Sequence, residues 1–151
     1  CRYPPLGERS FGPIRSKFNL GTDPAWVNSQ ILCLVQIETR QSMSSLDSIL
    51  AVEGVDGVYV GPADLALSHG LAVGKPSIEL DELLRRIHEA CVGHGKIPAI
   101  HTTSGADCLE KIALGYRMCS IGSDSVWLHA AYTEEVAKAR NAVAISAGDL
   151  Y

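Results

Sequence analysis

Four short apolar runs, each followed by a segment typical of a helix, constrain the fold of this chain more than any other feature. The strand-like runs are residues 33–37, 55–60, 97–100 and 116–121. The predicted helices are 41–52, 80–91, a segment from Ser104 to just before Gly115, and one from Ser123 or Asp124 to about Val143. Residues 9–30 are predicted as one loop with a short helix. Strands that alternate with helices predict a parallel sheet with covering helices.

The strand-like runs are nearly continuous in apolar residues, which is typical of parallel strands buried on both faces. Four strand-helix units are half of a (β/α)8 barrel, or a small doubly wound sheet, and periodicity alone does not separate the two. No G-x-G-x-x-G motif follows any of the four strands. Its absence weakens a dinucleotide-binding sheet and favours the half barrel.

Charge and hydropathy exclude several classes of protein. The chain has 13 Lys and Arg against 17 Asp and Glu, so no basic surface for nucleic acid or an anionic membrane is expected. No apolar run approaches the roughly 20 residues that span a bilayer. The first residues, CRYPPLGERS, do not form a signal peptide, which predicts a cytoplasmic protein. Because the chain starts with Cys1 rather than Met, we expect it to be part of a longer protein.

The five cysteines are widely spaced, without a Cys-x-x-Cys pair. An odd number with this spacing argues against a disulfide framework and against a zinc module. We therefore expect free thiols that pack as small apolar groups.

Two carboxylates follow consecutive predicted strands, Glu38 after the first and Asp64 after the second. The carboxyl ends of neighbouring parallel strands meet at one edge of a sheet, so these side chains are expected to lie close together. Two adjacent carboxylates repel unless a cation lies between them, and a hard divalent ion suits such oxygen ligands. The alternative is that both acids cap helices, which is common at such positions. Gln36 faces the same side of its strand as Glu38, and His101 ends the third strand.

At these residues the sequence resembles the HpcH/HpaI family of metal-dependent class II pyruvate aldolases. The matching segments are RYPPLGER (2–9), LVQIETRQSM (34–43) and AVEGVDGVYVGPADLALSHG (51–70). The resemblance implies the C-terminal half of a (β/α)8 TIM barrel, with residues 1–151 forming a partial barrel domain. It also implies a homo-oligomer, usually a hexamer assembled by exchange of a terminal helix.

The resemblance also implies roles for individual residues. Glu38 and Asp64 match the carboxylate ligands of the divalent metal, which would be Mg²⁺, Mn²⁺ or Co²⁺. Gln36, Asp64 and the backbone N–H of Ala63 match contacts to the substrate, and His101 matches a position on the aldehyde side of the pocket. The family's general-base His and pyruvate-binding Arg come from a segment upstream of Tyr3-Pro4-Pro5, so no catalytic residue is expected in this chain.

The implied activity is that of a carbon–carbon lyase. The complete enzyme would cleave a 4-hydroxy-2-oxo acid to pyruvate and an aldehyde, with the metal stabilising the pyruvate enolate. No lysine lies at a predicted strand end, which argues against a Schiff-base aldolase. An alternative is a non-catalytic barrel remnant that acts through self-association or partner binding, since half a barrel exposes two sheet edges. A phosphosugar-binding half barrel, suggested by Gly122-Ser123 at a helix start, is a weaker alternative.

Overall fold

The apolar runs of the sequence form the strands of one sheet, and the segments between them are helical. The computed structural model describes residues 1–12 and 15–148. In chain order the elements are α1 (Ser16–Asn19), α2 (Pro24–Gln30), β1 (Leu34–Ile37), α3 (Arg40–Ser44), α4 (Leu46–Leu50), β2 (Gly57–Val60), α5 (Pro62–Ser68), α6 (Ile78–Gly93), β3 (Ile97–Thr102), α7 (Gly105–Ala113), β4 (Met118–Ile121) and α8 (Asp124–Gly148).

The sheet has the order β1-β2-β3-β4, and every pair of neighbours is parallel. Each strand therefore pairs with the next one along the chain, through a connection that contains at least one helix. This arrangement confirms the predicted strand-helix units and their parallel pairing. It is also the arrangement of four successive units of a (β/α)8 barrel.

Helices cover one face of the sheet and form the hydrophobic core there. Because side chains alternate between the faces of a strand, Ile37, Val58, Val60 and Ile100 all point to this covered side. They pack against apolar residues from the crossover helices, namely Met43, Leu46, Leu50, Leu65, Leu84, Ile87 and Cys91. The 3.6-residue period of α6 places Leu84, Ile87 and Cys91 on one buried stripe, as predicted from the sequence.

The other face of the sheet, here called the open face, has no helical layer within the described residues. Gln36, Tyr59, Ala99 and Met118 lie in one row across it, paired in register from β1 to β4. Gln36 and Met118 are exposed. The expectation that both faces are buried is therefore met by Ala99 in the central strand β3, which is fully buried, and was wrong for the edge strands β1 and β4. Four strands cannot close around their own inner face, as the eight strands of a barrel do.

Two helical predictions differ from the structure. The helix predicted over 41–52 is two short helices, because the backbone of Ser45 leaves the helical region (φ −106°, ψ 10°). Helix α5 is not among the predicted helices. In α7 the inward residue is Cys108, whereas Leu109 and Ile112 are more than half exposed. Helix α7 packs on β3 and β4. Because β4 is the last strand of the described sheet, no further strand-helix unit lies beside α7 to bury its outer side.

All five cysteines are free thiols, as predicted. Residues 9–30 contain the two helices α1 and α2 rather than one. Asn28 of α2 fixes the start of the chain by exchanging two hydrogen bonds with the backbone of Tyr3. In the part of the chain that the structure describes, no helix has the length and apolar character needed to cross a membrane.

Candidate functional site

Glu38 is placed by the turn that joins β1 to α3. Thr39 is the N-cap of α3; its hydroxyl accepts from the backbone N–H of Ser42, and its own backbone N–H donates to the Ser42 hydroxyl. This reciprocal cap fixes the residue that follows Glu38. On the open face, the amide Nε2 of Gln36 donates to Oε2 of Glu38 at 2.7 Å. The Glu38 carboxylate is therefore held by Gln36 of its own strand, and the backbone of Glu38 is followed directly by the fixed cap at Thr39.

Asp64 is placed by the tight connection between β2 and α5. Gly61 precedes the helix, Pro62 occupies its first position, and Asp64 lies in its first turn. Pro is favoured there because the N–H that it lacks would have no helical partner. The connection is short enough that a carboxylate in the first helical turn still lies at the end of the strand.

Gly61 lies at the centre of the polar groups. A Cβ atom on this residue would be 3.0 Å from Oε2 of Glu38, 3.5 Å from Nε2 of Gln36 and 3.7 Å from Oδ2 of Asp64. The two carboxylate oxygens can therefore be no further apart than the sum of their distances to this one point. The structure brings Gln36, Glu38 and Asp64 together around a glycine, where a side chain would press against the Glu38 carboxylate.

This donor set fits a hard divalent cation. Two carboxylates without a facing cation repel each other, and a bound metal would relieve that repulsion. Within residues 1–12 and 15–148, no cluster of three or more His, Cys, Asp or Glu side chains is placed to hold a metal. An ion held by two carboxylates, with waters or substrate oxygens as the remaining ligands, is typical of Mg²⁺ and similar ions.

The capping alternative is not supported for Glu38, since Thr39 supplies the cap of α3. Asp64 does lie in the first turn of α5, where a negative charge is favoured by the helix dipole. That role does not compete with metal binding, because one oxygen of the same carboxylate also lies 3.7 Å from the Cβ position of Gly61, beside the Glu38 carboxylate.

Arg40 ties the two segments that carry the carboxylates. Its Nε donates to the carbonyl of Ser68 at 2.7 Å, and one terminal nitrogen donates to the carbonyl of His69 at 2.8 Å. Its backbone N–H donates to the hydroxyl of Ser68. These bonds satisfy carbonyls at the C-terminal end of α5, which have no helical partner. The start of α3 and the end of α5 are thereby held together.

His101 lies one strand further across the sheet. Its Nδ1 is 2.9 Å from Oγ of Ser120 and 3.2 Å from the hydroxyl of Tyr59. His101 also lines a cavity of about 310 Å³, together with Ala63 and residues of α6 and α7. The structure thus brings His101 and Ala63 to one cavity, whereas Glu38 and Asp64 do not line it.

Sequence reasoning did not single out Tyr59, Ser120 or Arg40. Tyr59 lies within an apolar run, and the partners of its hydroxyl cannot be identified until the strand register is known. The period-2 pattern could have placed Tyr59 on the face of Gln36, and Ser120 on that of His101, had the register been available.

A comparison with models of known protein families shows to which family the chain belongs. The model described as HpcH/HpaI aldolase/citrate lyase matches residues 1–131. The chain belongs to this family. The relationship predicted from the QIET and GPADL segments is therefore confirmed.

Two named relatives of the chain are aldolases. The chain is 36% identical to a hydroxypyruvate/pyruvate aldolase of Rhizorhabdus wittichii, over 91% of this chain and 56% of that protein. It is also 36% identical to a 5-keto-4-deoxy-D-glucarate aldolase of Citrobacter koseri, over 82% of this chain and 49% of that protein. The chain thus spans about half the length of the curated relatives that it matches.

Solved structures of the family share the fold. An HpcH/HpaI aldolase from Desulfitobacterium hafniense superposes with a TM-score of 0.76 at 29% identity, over 92% of this chain and 56% of that structure. A family member from Burkholderia cenocepacia gives a TM-score of 0.73 at 26% identity, over 92% of this chain and 57% of that structure. The four described strand-helix units therefore correspond to about half of a family TIM barrel, as the sequence predicted.

Proposed function

We propose that this chain supplies the metal-binding half of the active site of a pyruvate aldolase. The complete protein is a carbon–carbon lyase that cleaves a 4-hydroxy-2-oxo acid to pyruvate and an aldehyde. The observation that carries the proposal is the grouping of Gln36, Glu38 and Asp64 around Gly61, in a chain of this family. The aldolase names of its relatives support the reaction class.

Glu38 and Asp64 are the proposed ligands of a divalent cation, Mg²⁺, Mn²⁺ or Co²⁺. When bound, such an ion acts as a Lewis acid that stabilises negative charge developing on a substrate oxygen. The protein's part is to hold two carboxylates together at the end of the sheet. Gln36 orients Glu38, and Arg40 holds the α5 segment that carries Asp64.

We assign pyruvate, one of the two fragments of the substrate, to the edge of the sheet that carries Glu38 and Asp64. The amide nitrogen of Gln36 has two hydrogens, and only one is used in its bond to Glu38, so the second is available to a substrate oxygen. The backbone N–H groups of Ala63 and Asp64 lie in the first turn of α5 and have no partner in the preceding turn. They suit the carboxylate of a 2-oxo acid.

The general base and an arginine for pyruvate are proposed to come from a segment that precedes Cys1. This proposal rests on the family relationship and on the coverage of about half of each relative. Residues 1–151 are then one part of a barrel domain, and the complete protein is proposed to be a cytoplasmic homo-oligomer. Nucleic acid and membrane are not proposed as partners.

Titration of the chain with Mn²⁺ by calorimetry tests the metal site. We expect Glu38→Gln and Asp64→Asn each to lower the affinity at least tenfold, because each removes one of two charged ligands. Glu110→Gln is the matched control, since this exposed carboxylate lies on α7, away from the site. Equal Mn²⁺ affinity in the wild type and both site variants contradicts the proposal.

A second candidate function is association without catalysis. Among the described residues, β1 and β4 each pair on one side only, so two strand edges and the open face are available to another chain. Aldol cleavage measured on the 151-residue chain separates the two functions. Turnover comparable to that of a complete aldolase excludes the non-catalytic alternative, whereas a stable inactive dimer in ultracentrifugation supports it.

A further inference from the structure

The side chains on the open face form rows across the sheet, as the inward side chains of a barrel do. The strand register places Leu34, Gly57 and Ile97 in one row near the amino ends of the strands. The next row is Gln36, Tyr59, Ala99 and Met118. In a (β/α)8 barrel, the inward side chains of all eight strands fill the interior. The open face therefore carries half of such an interior.

The centre of the open face is covered, whereas its margins are exposed. Tyr59 reaches from β2 to β4, where its hydroxyl is 2.5 Å from Oγ of Ser120, and Ala99 on the strand between them is fully buried. Gln36 on β1 is exposed, and Met118 on β4 is 46% exposed. The exposed side chains thus lie on the two strands that have a free edge.

The two edge strands lack the residues that commonly protect a sheet edge from pairing. Native edge strands are often blocked by charged side chains or by proline. The sequence of β1 is LVQI and that of β4 is MCSI, so neither strand has a charge or a proline. None of the four described strands contains a charged residue. Another strand can therefore pair with either edge without the burial of an unpaired charge from this sheet.

A second copy of the chain satisfies both edges at once. When a two-fold axis along the barrel relates two copies, β4 of each copy lies beside β1 of the other, and all eight strands are parallel. The two seams are identical, so the assembly closes at two copies and leaves neither edge free. Eight strands enclose an interior just wide enough for side chains to fill. Gln36 and Met118 are covered in this arrangement.

We propose that the 151-residue chain forms a two-fold symmetric dimer, in which β4 of each copy pairs with β1 of the other and the two open faces form the interior of an eight-stranded barrel. The proposal specifies the partner and the pairing for the association described above. It makes no use of the metal ligands, so the Mn²⁺ titration of the proposed function neither supports nor contradicts it.

An apolar surface on the helical side offers a different way to join two copies. Leu109, Ile112 and Leu114, on and directly after α7, are each more than half exposed. A dimer formed through these residues leaves the edges of the sheet free. The experiment therefore places one substitution on each surface.

Sedimentation velocity of the 151-residue chain over a wide range of concentration measures the assembly. We expect a dimer, and Met118→Lys should raise its dissociation constant at least tenfold, because the substitution places a charge in the closed interior. Since Met118 is nearly half exposed in the single chain, the folded monomer should accept lysine, which circular dichroism checks. Ile112→Lys is the matched control, because it places the same charge on α7 at a residue that is 52% exposed. It should leave the dissociation constant unchanged.

Amide hydrogen exchange of the wild type, above and below the dissociation constant, requires no substitution. Dimer formation should slow exchange in both edge strands, Leu34–Ile37 and Met118–Ile121, because N–H groups at their free edges gain partners. Strand β2 is already paired on both sides, so its exchange should not change and provides the internal control.

Three results each overturn the inference. A monomer at every concentration means that the open face is left for preceding units of a longer protein, and an assembly of more than two copies does not close as proposed. A dimer of equal strength in Met118→Lys and the wild type is joined elsewhere, and weakening by Ile112→Lys locates that contact on α7. Slower exchange in only one edge strand, or in neither, means that the two sheets do not close into a barrel.

Discussion

The Gln36 amide and the Glu38 carboxylate are joined by a 2.7 Å hydrogen bond along the open face of β1. The two residues are two positions apart, so the pleat of the strand directs both side chains to one face. Glu38 would otherwise be free to rotate away from Asp64, because its side chain extends beyond the last paired residue of the strand. Gln36 therefore supports the proposed metal site without being one of its proposed charged ligands.

Replacement of Gln36 by Leu should weaken Mn²⁺ binding by about fivefold, which corresponds to one hydrogen bond. The loss should be smaller than in Glu38→Gln, because both carboxylates remain. Calorimetric titration measures it, with Gln41→Leu at an exposed position of α3 as the control. An unchanged affinity would show that Glu38 is oriented by its turn alone.

Gly61→Ala should impair metal binding with little effect on stability. The backbone of Gly61 has a φ of −99°, which alanine adopts without strain. The added methyl, however, would lie 3.0 Å from the Glu38 carboxylate and displace it. We expect at least a tenfold loss of Mn²⁺ affinity, with a change in the free energy of unfolding below about 1 kcal/mol.

The matched control for this substitution is Gly105→Ala, where a Cβ would meet no heavy atom within 4 Å. It should retain full affinity. Wild-type affinity in Gly61→Ala would mean that the carboxylates do not converge above this glycine.

Arg40→Met should loosen the end of α5. The substitution removes two hydrogen bonds to the carbonyls of Ser68 and His69 while retaining an apolar stem of similar length. We expect the free energy of unfolding to fall by about 1–2 kcal/mol, and amide hydrogen exchange to accelerate at His69 and Gly70. Arg86→Met, on the exposed side of α6, should change neither quantity. Equal exchange rates in the two variants would contradict a tie between α3 and α5.

The buried thiol of Cys91 should make stability dependent on pH in alkaline solution. Burial raises the pKa of Cys91 to about 11, from an ordinary value of 9.0. Below pH 9 the thiol is protonated in both states and has no effect. Between pH 9 and 11 it ionises in the unfolded chain but not in the folded one, so the folded state loses stability as the pH rises.

Urea unfolding of the wild type and Cys91→Ala at pH 8 and pH 10.5 measures this effect. The wild type should lose about 1–2 kcal/mol more than the variant over this interval. Below pH 8 the difference between them should be constant, which provides an internal control. Parallel pH dependence of the two proteins would mean that Cys91 is accessible to solvent in the native state.

The strands and α6 were predictable because their signals are local and strong. Each apolar run ends at polar residues or glycine, and α6 keeps its apolar period over four turns. Helix α5 was not predicted, although Pro62 directly after Gly61 is consistent with the first position of a helix. The break at Ser45 was missed because the apolar period continues from Met43 to Leu46 across it.

The proximity of Glu38 and Asp64 was predictable for a different reason. It follows from the geometry of parallel strands, whose carboxyl ends meet at one edge whatever the register. The contact of Tyr59 with His101 and Ser120 depends on the register itself, which a single sequence does not specify. Such a contact becomes visible only when three strands are aligned in space.

The order of the strands also has a consequence for the folding of the chain. Since β1, β2, β3 and β4 pair strictly in sequence, the first pairing joins residues 23 apart, Leu34 and Gly57, whereas the second joins residues 40 apart, Gly57 and Ile97. Closing the shorter loop costs less chain entropy, so the first pairing is the easier of the two to form. Pairing of the first two strands alone brings Glu38 beside Asp64, so we expect the chain to acquire the proposed metal-binding edge before its sheet is complete.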